Sequence, residues 1–296
     1  MADDQANSLL LPAKPEQLTF DVLYDALPDV SLRDQPDGME RAIVSLGKRT
    51  RTVPIRHDLD NGLFIEVIAN EAIGMATIWD YDIVIYLIGQ LMQRAQAGQL
   101  AEAPAVTVSP HALLQAIGRP TGGEDYVRLR QAIKRLQTTL VETNLWVGRK
   151  RAKTIRFPFI AGFEENDPGE ASSGGMTFVL PRWLVASVRA RNVLSIHRGY
   201  FGLDGGIERY LYRVSRKLAG RQPEGARISL RNLHERSGSP MRLADFAKGV
   251  RSAVERGNIP EYRLSLYRNA DGEEVLRIEP DTLSQLPSLW ATPRLL

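Results

Sequence analysis

Polar and apolar positions alternate between residues 52 and 67, around the stretch Asp58-Leu59-Asp60-Asn61-Gly62. The Asn-Gly pair predicts a hairpin whose returning strand is Phe64-Ile65-Glu66-Val67. Apolar residues then thicken at Ile83, Ile85, Tyr86, Leu87, Leu91 and Met92. Their wide face predicts a largely buried helix over 79–97, with Asp80 and Asp82 in the first turn, where acids suit the helix dipole, and a stop at Gly98.

The next segment is denser in signals. Val106-Thr107-Val108 reads as a short strand, and Ser109-Pro110 opens a helix with Ser as N-cap and Pro at its first position. That helix ends at Gly118. After the turn Arg119-Pro120-Thr121-Gly122-Gly123, residues Leu129, Ile133, Leu136 and Leu140 recur at helical spacing, which predicts a second helix over 124–140. Two extended runs, 141–146 and 154–160, flank a basic stretch at 147–153. Strand, helix, turn, helix and basic hairpin is the element order of a winged helix.

The order recurs further along. Residues 176–180 read as a strand, 181–189 as a short helix and 207–218 as a longer one. Leu243, Phe246, Val250 and Val254 mark one face of a helix before strands at 262–267 and 275–278. Shifting the chain by 120 positions lays Gly118-Arg119-Pro120 on Gly238-Ser239-Pro240 and Val108 on Ile228. The expected architecture is α+β: tandem winged-helix domains behind a mostly flexible acidic leader. The boundaries are a leader at 1–44, a first domain at 45–165, a linker at 166–175, a second domain at 176–285 and a tail at 286–296. One larger α+β domain whose halves merely look alike is the competing architecture.

Charge sharpens this picture. Residues 1–40 hold nine Asp/Glu and two Lys/Arg, a net of −7, so residues 41–296 carry +10 of the overall +3. A basic body favours a polyanion. The 296 residues include no cysteine, which excludes disulfide scaffolds, cysteine-ligated metals and cysteine nucleophiles and fits a reducing, cytoplasmic setting. No apolar run approaches the ~20 residues of a membrane span.

Candidate DNA contacts follow from the winged-helix order. Arg149, Lys150, Arg151 and Lys153 crowd the hairpin tip, with Arg156 on the returning strand, and suit phosphates or a minor groove. Arg128, Arg130, Gln131, Lys134 and Arg135 form the polar face of the 124–140 helix, with Arg119 in the turn before it. Arg suits guanine and Gln suits adenine in the major groove. In the second copy Arg242, Lys248 and Arg251 take these places, diluted by Asp245 and Glu255. Arg209 and Arg213, beside Arg216 and Lys217, form a basic stripe on the preceding helix.

Catalytic signals are absent by comparison. The four histidines, His57, His111, His197 and His234, form no His-x-His or His-Glu-x-x-His motif. Gly47-Lys48-Arg49 lacks the Ser/Thr and the upstream Gly of a phosphate-binding loop, and no Gly-x-Ser-x-Gly elbow occurs. The expectation is a DNA-binding protein without enzymatic activity, metal or cofactor.

The block Gly74-Met75-Ala76-Thr77-Ile78-Trp79-Asp80-Tyr81-Asp82-Ile83, followed by Ser109-Pro110-His111 and the Arg/Lys-rich helix at 127–135, resembles the replication initiator protein A family of proteobacterial plasmids. The resemblance covers about residues 45–285. It implies binding of repeated double-stranded sites at a plasmid origin, melting of adjacent DNA, and recruitment of the host initiator and replicative helicase. It also implies a monomer–dimer equilibrium linked to repression of the protein's own gene. A tandem winged-helix transcriptional regulator and a strand-nicking enzyme are the competing readings.

Overall fold

A computed structural model describes residues 22–25, 31–34, 36–144, 154–165 and 175–281. In chain order the first half comprises β1 (Val22–Asp25), β2 (Arg33–Asp34), α1 (Asp37–Glu40), β3 (Ile55–Asp58), β4 (Phe64–Ile68), α2 (Asp82–Gln96), β5 (Pro104–Val108), α3 (Pro110–Ala116), α4 (Gly123–Thr138), β6 (Leu140–Thr143), β7 (Ile155–Pro158) and β8 (Gly162–Glu165). There follow β9 (Met176–Val179), α5 (Arg182–Arg189), β10 (Leu194–Ser195), α6 (Gly206–Leu218), β11 (Ala226–Ser229), α7 (Leu230–Ser237), α8 (Leu243–Arg256), β12 (Tyr262–Arg268) and β13 (Glu274–Pro280). The basic tip with Arg149, Lys150, Arg151 and Lys153 lies outside the described residues.

Local chemistry accounts for the helix–turn–helix units, and they match across the shift of 120. Ser109 Oγ accepts a hydrogen bond from Ala112 N at 3.2 Å, and Ser229 Oγ accepts one from Asn232 N at 3.3 Å. Both first helices therefore start on a serine cap. They end at Gly118 and Gly238, with φ of +68° and +56°. The left-handed turn favours glycine at both. At Gly238 space is short as well, because a Cβ would fall on the Ile55 side chain of β3.

The two copies differ in their sheets. In the second, β11-β13-β12 is the strand order, so the strand before α7 closes onto the wing. In the first, β6 and β7 join the β3–β4 hairpin in the order β3-β4-β6-β7. The strand before α3, β5, pairs instead with β1 and β9, and β8 extends that sheet as β1-β5-β9-β8. Its position after the linker predicts that β9 belongs to the second half, yet among the described residues its partners are first-half strands, with Ala105 opposite Val179 and Gly162 opposite Val179.

The core is continuous through both halves. α2 lies at its centre, buried from Asp82 to Met92. The leader reading does not extend to residues 22–25, where β1 pairs with β5, nor to 31–34 and 36–44. Leu32, Met39, Ala42, Ile43 and Val44 are buried, β2 pairs with β10, and α1 packs on α6. Prolines and acids at 1–40 suggest a solvated chain, but Leu32 and Met39 are buried, with β2 packed on α2 and α1 on α6. Among the described residues, no helix is long and apolar enough to cross a membrane.

Candidate nucleic-acid interface

The basic residues chosen from sequence separate into four environments. Arg209 and Arg213 are interior: their side chains are 4% and 1% exposed. Arg213 Nε pairs with Asp34 at 2.8 Å and its guanidinium lies over the Tyr81 ring at 4.7 Å. Arg209 Nη1 meets both Asp82 oxygens, at 2.7 and 2.9 Å, and the same guanidinium donates to the Leu203 and Phe201 carbonyls. The expectation that these two arginines form an exposed stripe is corrected, since α6 turns them inward onto acids from the first half. Burial pushes the Asp82 carboxyl upward, and Arg209 and Arg119 oppose that shift.

Arg119 and Arg135 belong to the same junction. Arg119 donates to the Trp79 carbonyl and pairs with Asp82 at 3.2 Å. Arg135 grips Asp80 bidentately, at 2.7 and 2.8 Å, and Asp80 in turn accepts from Thr77 N at 2.8 Å. Asp80 is buried and Arg135 partly so. The block Trp79-Asp80-Tyr81-Asp82 thus fastens α4 and α6 onto the start of α2.

Three further arginines brace neighbouring elements at the surface. Arg130 clamps Glu165 of β8 at 2.6–3.0 Å, Arg156 pairs with Glu142 across β6–β7 at 2.6 Å, and Arg251 clamps Glu274 of β13 at 2.5–2.8 Å. Arg128 and Arg242 are exposed and hold only acids of their own helix turn, Glu124 and Asp125 for the first and Asp245 for the second. Such pairs contribute about 0–1 kcal/mol and exchange readily for a phosphate. Gln131, Lys134 and Lys248 point outward with no ion pair to a described residue.

Among the described candidates, those that are exposed and reach no acid outside their own helix turn form one polar strip per half: Arg128, Gln131 and Lys134 on α4, and Arg242, at the N-cap of α8, with Lys248. Each is backed by a buried apolar stripe, Leu129, Ala132, Ile133 and Leu136 in one and Phe246, Ala247, Val250 and Ala253 in the other. Long cationic and amide side chains on a helix of this kind are suited to a major groove and its phosphates. Sequence reasoning passes over the wing face of the second half. There Arg263, Ser265 and Tyr267 alternate outward on β12, with Arg277 opposite Ser265 on β13. Period-two alternation at 262–268 is the available signal. Among the described residues, no group of His, Asp and Glu could hold a metal ion.

Known proteins resemble the chain at each of these levels. The fold is similar to crystal structures of domains 2 and 3 of RctB. One, of selenomethionine derivatives, matches with a TM-score of 0.60 at 15% identity over 83% of this chain and 98% of that one. A second matches with a TM-score of 0.52 at 13% identity, over 80% and 94%. A protein of Wigglesworthia glossinidia brevipalpis described as "Putative replication protein" is 29% identical over 243 residues, 81% of this chain and 87% of that protein. Residues 33–264, which span both helix–turn–helix units and the buried junction between them, match the model of replication initiator protein A, and the chain belongs to that family.

Proposed function

We propose that this replication initiator binds double-stranded DNA sequence-specifically, at repeated sites of a plasmid origin, and recruits the host initiator and replicative helicase there. The observation that carries the reading is the pair of exposed polar strips on α4 and α8, each on the second helix of a helix–turn–helix and both fixed to one continuous core. Helices so held enter successive major grooves about 10 bp apart, so one monomer covers about two turns. In this reading Arg128, Gln131 and Arg242 meet base edges while Lys134 and Lys248 meet phosphates. The protein acts on DNA without cleaving it.

DNase footprinting on the protein's own replicon tests this. Several protected direct repeats beside an A·T-rich segment are expected, on a supercoiled plasmid that stays unnicked. A single protected palindrome over a promoter would transfer the protein to transcriptional regulation, and nicking would make it an enzyme.

A further inference from the structure

The segment between α1 and β3 is absorbed by neither strip. It is pinned at both ends. Ser45 N donates to the Ala76 carbonyl and Ile78 N to the Ser45 carbonyl, each at 2.9 Å. Six residues later, Met75 N donates to the Arg51 carbonyl at 2.8 Å. The Arg51 guanidinium spends its donors on carbonyls: Gly238 at 2.6 Å, Val53 at 2.8 Å and Pro54 at 3.1 Å. Between the pins Gly47, Lys48, Arg49 and Thr50 are exposed.

This loop forms one wall of a cleft of about 680 Å³. The opposite wall is Ile207 with Ser239, Pro240 and Met241, the turn that leads into α8. The lining includes three cationic side chains, several hydroxyls and no carboxylate. Lys48 and Arg49 pair with no carboxylate among the described residues, and Lys48 Nζ is held 5.2 Å over the Trp79 ring. Close approach is built in: a Cβ on Gly206 would fall on the Leu46 carbonyl oxygen, so glycine there lets α6 press the loop into place.

We infer that this cleft is a third DNA-binding element, a clamp for the phosphate backbone in which Lys48 and Arg49 hold the strand that borders α8. The inference rests on the DNA-binding reading above and adds a site to it. A duplex seated on the Arg242–Lys248 strip carries its backbone past the α7–α8 turn, where the cleft opens. Its chemistry selects phosphate and carries no base identity, because fixed cations without an acid or amide partner meet any backbone alike. The clamp also spans the halves, since its walls come from both.

The test uses the full chain and a fluorescein-labelled duplex of arbitrary sequence, about 40 bp or roughly four helical turns. Affinity is measured across salt for the wild type and for Lys48→Ala/Arg49→Ala. Both side chains are exposed, so the double variant should melt with the wild type. The expected result is a salt slope shallower by up to about 1.8, or 0.9 for each phosphate that the variant no longer neutralises. Because the chain lacks cysteine, Arg49→Cys carrying a photo-crosslinker should also attach to the duplex. Wild-type binding with an unchanged slope and no crosslink would overturn the clamp and leave the α4 and α8 strips standing. Failure of the wild type to bind any duplex would overturn the DNA-binding reading itself.

Discussion

Arg213 and Lys248 carry the same charge in opposite surroundings, one buried and one exposed. Arg213 is enclosed with Asp34 and Tyr81, so Arg213→Met strands a buried carboxylate and should lower unfolding free energy by about 3–5 kcal/mol in urea titrations. Adding Asp34→Leu should restore most of it. Lys248→Ala should move stability by within about 0.5 kcal/mol and flatten the salt slope of DNA binding by about 0.9. Sequence could not separate these two residues. The acids that claim Arg213 and Arg209 stand 179 and 127 positions away, and periodicity reports only that a face is polar, not what covers it. His57 makes a second prediction at this scale. It is buried, with Nε2 2.9 Å from the Ala42 carbonyl, and burial holds its imidazole below the ordinary value of 6.5. The unfolded chain therefore takes up the proton first. Stability is full above the unfolded value and falls as pH drops below about 6.5 toward the folded value. His57→Gln should flatten that part of a Tm-against-pH curve, and an unchanged curve would show that another group titrates.

At the scale of elements, α4 is where pattern and packing part company. Its helical phase was legible, because Leu129, Ile133 and Leu136 are the buried stripe. The polar face divides further than a pattern can show: Gln131 and Lys134 face solvent, while Arg135, one residue on from Lys134, turns back to Asp80. Arg135→Ala should thus cost about 1.5–3 kcal/mol, the contribution of hydrogen bonds to a charged group, and lower Tm. Gln131→Ala should leave Tm unchanged and lose about 1–3 kcal/mol of discrimination at one base position, read on a panel of single-base site variants. The reverse pattern would mean that α4 is rotated relative to its stripe. The sheets were less legible than the helices. Strand order depends on which edges meet, and nothing in 104–108 announces that its neighbour is 176–179 and not the adjacent wing.

For the whole molecule, that pairing runs across the boundary expected at 165. A chain ending there lacks β9, which pairs with both β5 and β8, and α5, which packs on α2. Residues 45–165 alone should give no cooperative thermal transition by circular dichroism, whereas the full chain should melt in one step because its core is continuous. Independent melting of 45–165 would show that β9 is dispensable. The same strand order has a consequence during synthesis. β5 is complete when Val108 leaves the ribosome, but its partner Met176 follows almost seventy residues later. At 5–20 residues per second, the nascent chain waits roughly 3–14 s with one edge of a future sheet open. Codon choice and chaperone access between those two points act while that edge is exposed, and an unpaired strand edge is where a nascent chain pairs wrongly.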